Sequence, residues 1–371
     1  MHLTYIFRLV LILIGCNFLK AENIPLTFSP KLSTEYYSSG SILHPEASGF
    51  SILNSIELDA KKVSGNWSVI GNFRFISGNN ADISSTYFNH ALSIENQRGY
   101  YNIDNTWFES SNLSIKYQNS ESFNLYFGKD KVHWGHGKAS LILSKNTPSY
   151  PVIGFNWQIS KSLKLSYLNG VLSSLIPDTL NTDYQNVESR RVYKPRGLAA
   201  HKLIWTISRE LTFTAMESVI YGNRKIEEHY LLPFIPFWSM QHYLGDIDNV
   251  QMCGELNWKP KDNVSLYSSL FIDEWRPEWT FKNNNRNWVG YQFGIFVFDA
   301  WLPNDFIRIE YTWTDHRVYR HKYPINESYS FNYSLGFWAG PHAEESYFEY
   351  SFPLIGLDIF TTFSNVTRGK L

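Results

Sequence analysis

Residues 306–314 read Phe-Ile-Arg-Ile-Glu-Tyr-Thr-Trp-Thr. Ile307, Ile309, Tyr311 and Trp313 fall on one side of an extended chain, and Arg308, Glu310, Thr312 and Thr314 on the other. Side chains of a strand point alternately to the two faces of a sheet, so this two-residue period predicts a strand with two different surroundings. Arg308 and Glu310 on one face fit a polar lumen. A soluble sandwich would turn that face to bulk water, and the alternation alone leaves both readings open.

The same rhythm recurs along the chain. It sets Leu113, Ile115 and Tyr117 against Ser114, Lys116 and Gln118, and Leu163, Leu165 and Tyr167 against Lys164 and Ser166. In 66–75, Trp67, Val69, Gly71, Phe73 and Phe75 share one face, while Ser68, Asn72 and Arg74 share the other with Ile70. Short polar turns at 64–65, 119–121, 160–162, 208–210 and 260–263 join successive runs, whereas 78–108, 173–196, 222–249 and 316–334 are long connections. Short turns at one end and long loops at the other predict an all-β fold: a transmembrane antiparallel β-barrel of roughly 14–18 strands, its long extracellular loops folded in part over or into the lumen.

Composition agrees with that class. Aromatics make up 17% of 371 residues, yet no run after the first twenty is apolar enough for a membrane helix. A barrel would show this combination because half its strand residues meet lipid and half meet a wet interior, and on composition alone a soluble β-sandwich or glycosidase fits equally well. The formal charge of -1 argues against a nucleic-acid partner. The start, with His2, Arg8, an apolar run from Leu9 to Gly15 and Ala21, reads as a signal peptide over 1–21, followed by one barrel domain over 22–371 in a bacterial outer membrane. Leu13-Ile14-Gly15-Cys16 also fits lipid attachment at Cys16; after either cleavage Cys253 is the remaining free thiol candidate.

One stretch breaks the hairpin rhythm. In 128–151, Gly135 and Gly137 bracket His136 after Trp134, and Pro148 and Pro151 close the segment. Glycine has no Cβ, which allows close approach to another backbone or to a ligand, so this segment is expected inside a barrel or at its mouth. The segment 225–243 has a partly helical pattern interrupted by Pro233 and Pro236, and is expected to fold over the mouth or into it.

The polar clusters point away from catalysis. Asp273 and Glu274 are adjacent on a strand and face opposite ways, so they cannot act together on one glycosidic bond. Asp246-x-Asp248-Asn249 lacks the spacing of a calcium loop and reads as a turn, and His133 and His136 lack a third metal ligand in sequence. Ser140 and Ser144 stand outside any G-x-S-x-G context. Neither a cofactor nor enzymatic activity is expected. Trp134, His136, Tyr221, Trp238, Tyr243 and Trp275 lie near strand ends or loops, where aromatic rings stack on sugar faces, and they are the candidate glycan-binding residues; interfacial girdles are the competing use for the aromatics among them.

Gly128-Lys129 with Trp134-Gly135-His136-Gly137 resembles the strand-end W-G-x-G element of the capsule assembly protein Wzi family, and Ser140 to Asn146 resembles the stretch that follows it there. Tyr167-Leu168-Asn169-Gly170, His201-Lys202-Leu203, Glu217 to Gly222, Pro233-Phe234, Asp248-Asn249 and Asp273-Glu274 then come in the family's order. The resemblance implies an outer-membrane barrel, a monomer among outer-membrane lipids, that attaches or assembles capsular or extracellular polysaccharide by binding it. A porin or substrate-specific channel is the alternative, and a glycan-acting enzyme the third reading. The family's chains continue beyond Leu371, so the closing strand is expected either at Phe360–Phe363 or beyond this sequence.

Overall fold

The computed structural model describes residues 27–39, 49–79, 106–181, 192–224, 226–282, 287–355 and 357–369. The expected signal peptide and Cys16 lie outside them. Two compact units are separable, one comprising 1–81 with 96–129 and the other 82–95 with 130–371.

The first unit is an antiparallel meander of β1 (Thr27–Ser39), β2 (Gly49–Ser64), β3 (Trp67–Asn79), β4 (Thr106–Ser120) and β5 (Phe123–Asp130). Its faces divide as the alternation predicts. Phe73 and Phe75 pair with Leu58 and Ile56, and all four are exposed. On the opposite face Asn72 donates to Glu57 and, at 2.6 Å, to Asp59, while Arg74 donates to Ser55 at 3.2 Å. Gly65, at φ +54°, supplies the left-handed residue of the two-residue β2–β3 turn.

The second unit continues the pattern through β6 (Tyr150–Gln158), β7 (Leu163–Leu172), β8 (Arg196–Thr206), β9 (Leu211–Gly222), β10 (Asn249–Lys261), β11 (Val264–Glu274), β12 (Trp288–Phe298) and β13 (Phe306–Thr314). Two short strands, β14 (Tyr329–Ser330) and β15 (Tyr333–Ser334), pair only with each other, and β13 pairs with β16 (Ala343–Leu354), which pairs with β17 (Leu357–Arg368). Phe360–Phe363 therefore lies in β17. Turns at 159–162, 207–210, 262–263, 299–305 and 355–356 define one end; connections 131–149, 173–195, 223–248, 275–287 and 315–342 lie at the other.

The surroundings are inverted relative to a soluble protein. On β13 the polar set Glu310, Thr312 and Thr314 is buried and Ile309 is exposed. Register carries this division across the sheet: Cys253, Glu255 and Asn257 of β10 lie opposite Phe271, Ser269 and Tyr267 of β11 on the inner face. Trp205, Phe213 and Leu256, paired in line across β8, β9 and β10, stand exposed on the outer face.

Candidate functional site

The inner face of the second unit is filled by two of its own connections. From Ala139 to Ser144 every residue is buried, and Ser144 N–H reaches Leu335 of the 315–342 connection at 2.6 Å. Carboxylates of the wall hold this segment by its backbone. Glu255 accepts from His136 N–H (3.0 Å), the His136 ring Nδ1 (2.6 Å) and the Ser269 hydroxyl (2.9 Å). Glu310 accepts from Lys138 N–H (2.8 Å), from the Tyr267 hydroxyl and from Gln292 Nε2 (3.0 Å). Gln292 also donates to Ala139 O at 2.9 Å, in the space left by Gly137, where a Cβ would come within 1.9 Å of its amide oxygen. The close approach expected of the Gly-x-Gly element is thus made to a side chain of the wall.

The 315–342 connection is held in the same way. Asp273 accepts from Gln251 (2.9 Å) and from Tyr319 N–H, and the Tyr319 hydroxyl donates to Leu141 O at 2.7 Å. Asp273 is buried against these partners while Glu274 is exposed, so the two carboxylates face apart as the strand period requires. Near the start of the connection, burial alone would raise the Asp315 carboxyl, but the Arg317 guanidinium at 2.8 Å outweighs it and holds the group below its ordinary value.

The connection 223–248 does not enter the inner face, contrary to the expectation for 225–243. It comprises a 3-10 turn (Glu228–Leu231), the two prolines and α1 (Phe237–Tyr243), and it lies on the outer face of β7 to β10. Tyr167, Ala199, Val219 and Val250 point outward by register yet are buried, because Tyr230, Phe237 and Met240 cover them. The physical reason is a set of polar groups on that face. His201 Nε2 lies 2.9 Å from Glu217, which also accepts Phe237 N–H and Trp238 N–H, each at 2.7 Å. Asp248 accepts from Arg224 at 2.5 Å and from the Tyr230 hydroxyl at 2.6 Å, which commits that carboxylate within the connection.

The six candidate residues are therefore in three places. Trp134 and His136 belong to the inner segment: Trp134 is buried with Lys202 Nζ 5.0 Å from its ring centroid, and His136 is half-exposed. Tyr221, Trp238 and Tyr243 belong to the outer side. Tyr221 is fully buried, its ring filling the space above Gly197, so packing occupies it; Trp238 and Tyr243 are 53% and 81% exposed on α1. Trp275 stands apart, 50% exposed in the 275–287 connection.

Around Trp275 the structure adds residues that sequence reading missed. Arg276 lies 4.7 Å from the Trp279 ring centroid, Trp275 Nε1 donates to Thr280 at 3.0 Å, and Phe281 is 99% exposed. Asn287 ties this surface to Arg317, accepting Arg276 N–H at its side-chain oxygen (2.8 Å) and Arg317 at its carbonyl (3.3 Å). The signal was present as Trp-Arg-Pro-Glu-Trp at 275–279.

Among solved structures the chain is similar to Wzi of Escherichia coli, an outer-membrane protein involved in group 1 capsule assembly and described as a carbohydrate-binding β-barrel. The likeness covers 98% of this chain and 74% of that one, at 13% identity and a TM-score of 0.59. The fold is that of an outer-membrane β-barrel. OpdG of Pseudomonas aeruginosa also matches, at 12% identity and TM-score 0.43 (92% of this chain, 93% of that one), as does OprD at 8% and 0.44 (94% and 92%). No protein-family description matches the chain, and no curated protein matches it in sequence. No helix of the described residues is long and apolar enough to cross a membrane.

Proposed function

We propose that this barrel attaches or assembles capsular or extracellular polysaccharide at the cell surface by binding it, without cleaving it. The observation that carries the reading is the surface formed by Trp275, Arg276, Trp279 and Phe281 at the end of the long connections. The Trp275 and Phe281 rings are open to solvent and the exposed Arg276 guanidinium stands beside them, which suits the apolar face and hydroxyl rim of a sugar. Trp275 is the member of the sequence-derived set that this reading retains as a direct contact, with half-exposed His136 as a second polar position. The likeness to a carbohydrate-binding barrel supports the same class of ligand.

The filled inner face weighs against the channel reading. Ala139–Ser144 is buried and held by Gln292 donating to Ala139 O, the Tyr319 hydroxyl donating to Leu141 O and Ser144 N–H donating to Leu335 O, so it is part of the core of the second unit. An enzymatic reading is disfavoured because Asp273 and Glu274 diverge and Asp273 is saturated by Gln251 and Tyr319.

The test is a Trp275→Ala/Trp279→Ala double variant, assayed for retention of surface polysaccharide and for binding of that purified polysaccharide by the isolated barrel. Binding is expected to fall at least tenfold, about 1.4 kcal/mol, with the heat-shifted band of the folded barrel unchanged. Unchanged binding refutes the assignment. Large, steady ion conductance of the intact protein in planar bilayers would move the channel reading to first place.

A further inference from the structure

The outer face of β7 to β10 poses a problem that the glycan reading does not touch. An outer-membrane barrel presents an apolar outer face to hydrocarbon, and irregular backbone is ordinarily excluded from that face because each unsatisfied N–H or C=O there costs several kcal/mol. Yet the 223–248 connection, which leaves β9 at the end of the long connections, runs down that face. Phe234 reaches Trp157, one residue from the far end of β6, with ring centroids 6.2 Å apart. At about 3.3 Å per residue, Trp157 is about 23 Å along the strand from Tyr150, which at a tilt of about 35–45° is about 16–19 Å of height, roughly two thirds of an apolar band about 25 Å tall.

We infer that the 231–238 part of this connection is embedded in the bilayer as a lipid-facing layer of the barrel wall, and that its outer surface is covered by lipid acyl chains. Three observations support this occupant. Between the exposed polar residues Glu228 and His229 on one side and His242 on the other, the surface turned away from the wall is apolar, with Leu231, Leu232, Phe234, Ile235 and Trp238 all exposed. It is continuous, through the Phe234–Trp157 contact, with the exposed Trp157, Leu203 and Trp205 of the outer face.

The third observation is how backbone donors are disposed of. Pro233 and Pro236 have none to satisfy. Ile235 N–H bonds Leu232 O, and Ser239 and Met240 N–H bond Pro236 O. The first two N–H groups of α1, Phe237 and Trp238, are taken by Glu217 from the wall, with His201 on the same carboxylate. A carboxylate on a lipid-facing strand is costly unless paired, and here the pairing partners are the covering layer and a neighbouring imidazole. Trp238 accordingly faces lipid and Tyr243 the membrane interface, and this assignment stands whether or not the barrel binds polysaccharide.

The full chain, with Cys16→Ser and Cys253→Ser, is spin-labelled through Leu232→Cys and, separately, Tyr243→Cys, and reconstituted in phospholipid vesicles. Leu270→Cys on the outer face of β11 serves as the lipid reference and Arg209→Cys in the β8–β9 turn as the aqueous one. At Leu232 the ratio of collisions with dissolved oxygen to those with a water-soluble nickel chelate is expected to match the lipid reference. At Tyr243, two turns of chain nearer the mouth, it is expected between the two references. A Leu232 ratio equal to that of Arg209 overturns the inference by placing the segment in water. Dipolar broadening between labels on separate chains also overturns it, since a second copy would then occupy the surface.

Discussion

The inner segment 131–149 and the outer connection 223–248 cover opposite faces of neighbouring strands with one device. Each is held by a wall glutamate that receives backbone N–H groups of the covering segment and a histidine ring: Glu255 with His136 inside, Glu217 with His201 outside. What differs is the material. The inner segment uses glycine and small residues to pass close to polar side chains; the outer one uses proline and aromatics, and its far side is apolar. The same anchor thus serves two solvents, because a carboxylate satisfies amides equally well in either, whereas the free surface must match what it meets.

Glu217→Ala should break the comparison hardest. It orphans Phe237 N–H, Trp238 N–H and the His201 ring at about 1–3 kcal/mol each, with no water in hydrocarbon to replace the acceptor. The temperature at which the folded band is lost on a semi-native gel should drop by more than for any other single change proposed for these two segments. Glu255→Ala removes as many bonds but should cost less, since half-exposed His136 can regain water; equal losses in the two variants would mean that the outer anchor is not in lipid. Gly137→Ala tests the close approach itself. Its Cβ must displace Gln292, so a loss of about 1–3 kcal/mol is expected, without effect on proteolysis of the outer connection.

A pH dependence is expected on the inner side as well. Burial, reinforced by Lys145, pushes the His133 imidazole from its ordinary 6.5 down to about 4. The unfolded chain then binds a proton that the fold refuses over that interval. Stability is full above about pH 6.5 and declines as pH falls towards 4, the sign for a depressed folded value. Amide exchange across 131–149 should accelerate over that window in the wild type and lose this dependence in His133→Gln.

Much of the fold was legible because its signals are local. Alternation over 306–314 and 163–167 anticipated the faces, and five short turns were placed to within a residue or two of where they occur. The 299–305 connection was missed because its Leu302-Pro303 lacks the run of small polar residues that marks the others. Part of the candidate surface was legible too, through Trp275. Trp134 and Tyr221 had the same sequence credentials, yet packing claims both: Lys202 lies over one and Gly197 under the other.

What the sequence determined by itself was the strand rhythm, the asymmetry of turn lengths and the presence of aromatic-rich connections, all properties of residues a few positions apart. Tertiary structure alone decided which face each connection covers. Glu217 and Trp238 are separated by a chain excursion whose direction no local pattern encodes. It is set by where a buried carboxylate, a histidine one strand away and two free helix amides can satisfy one another at once.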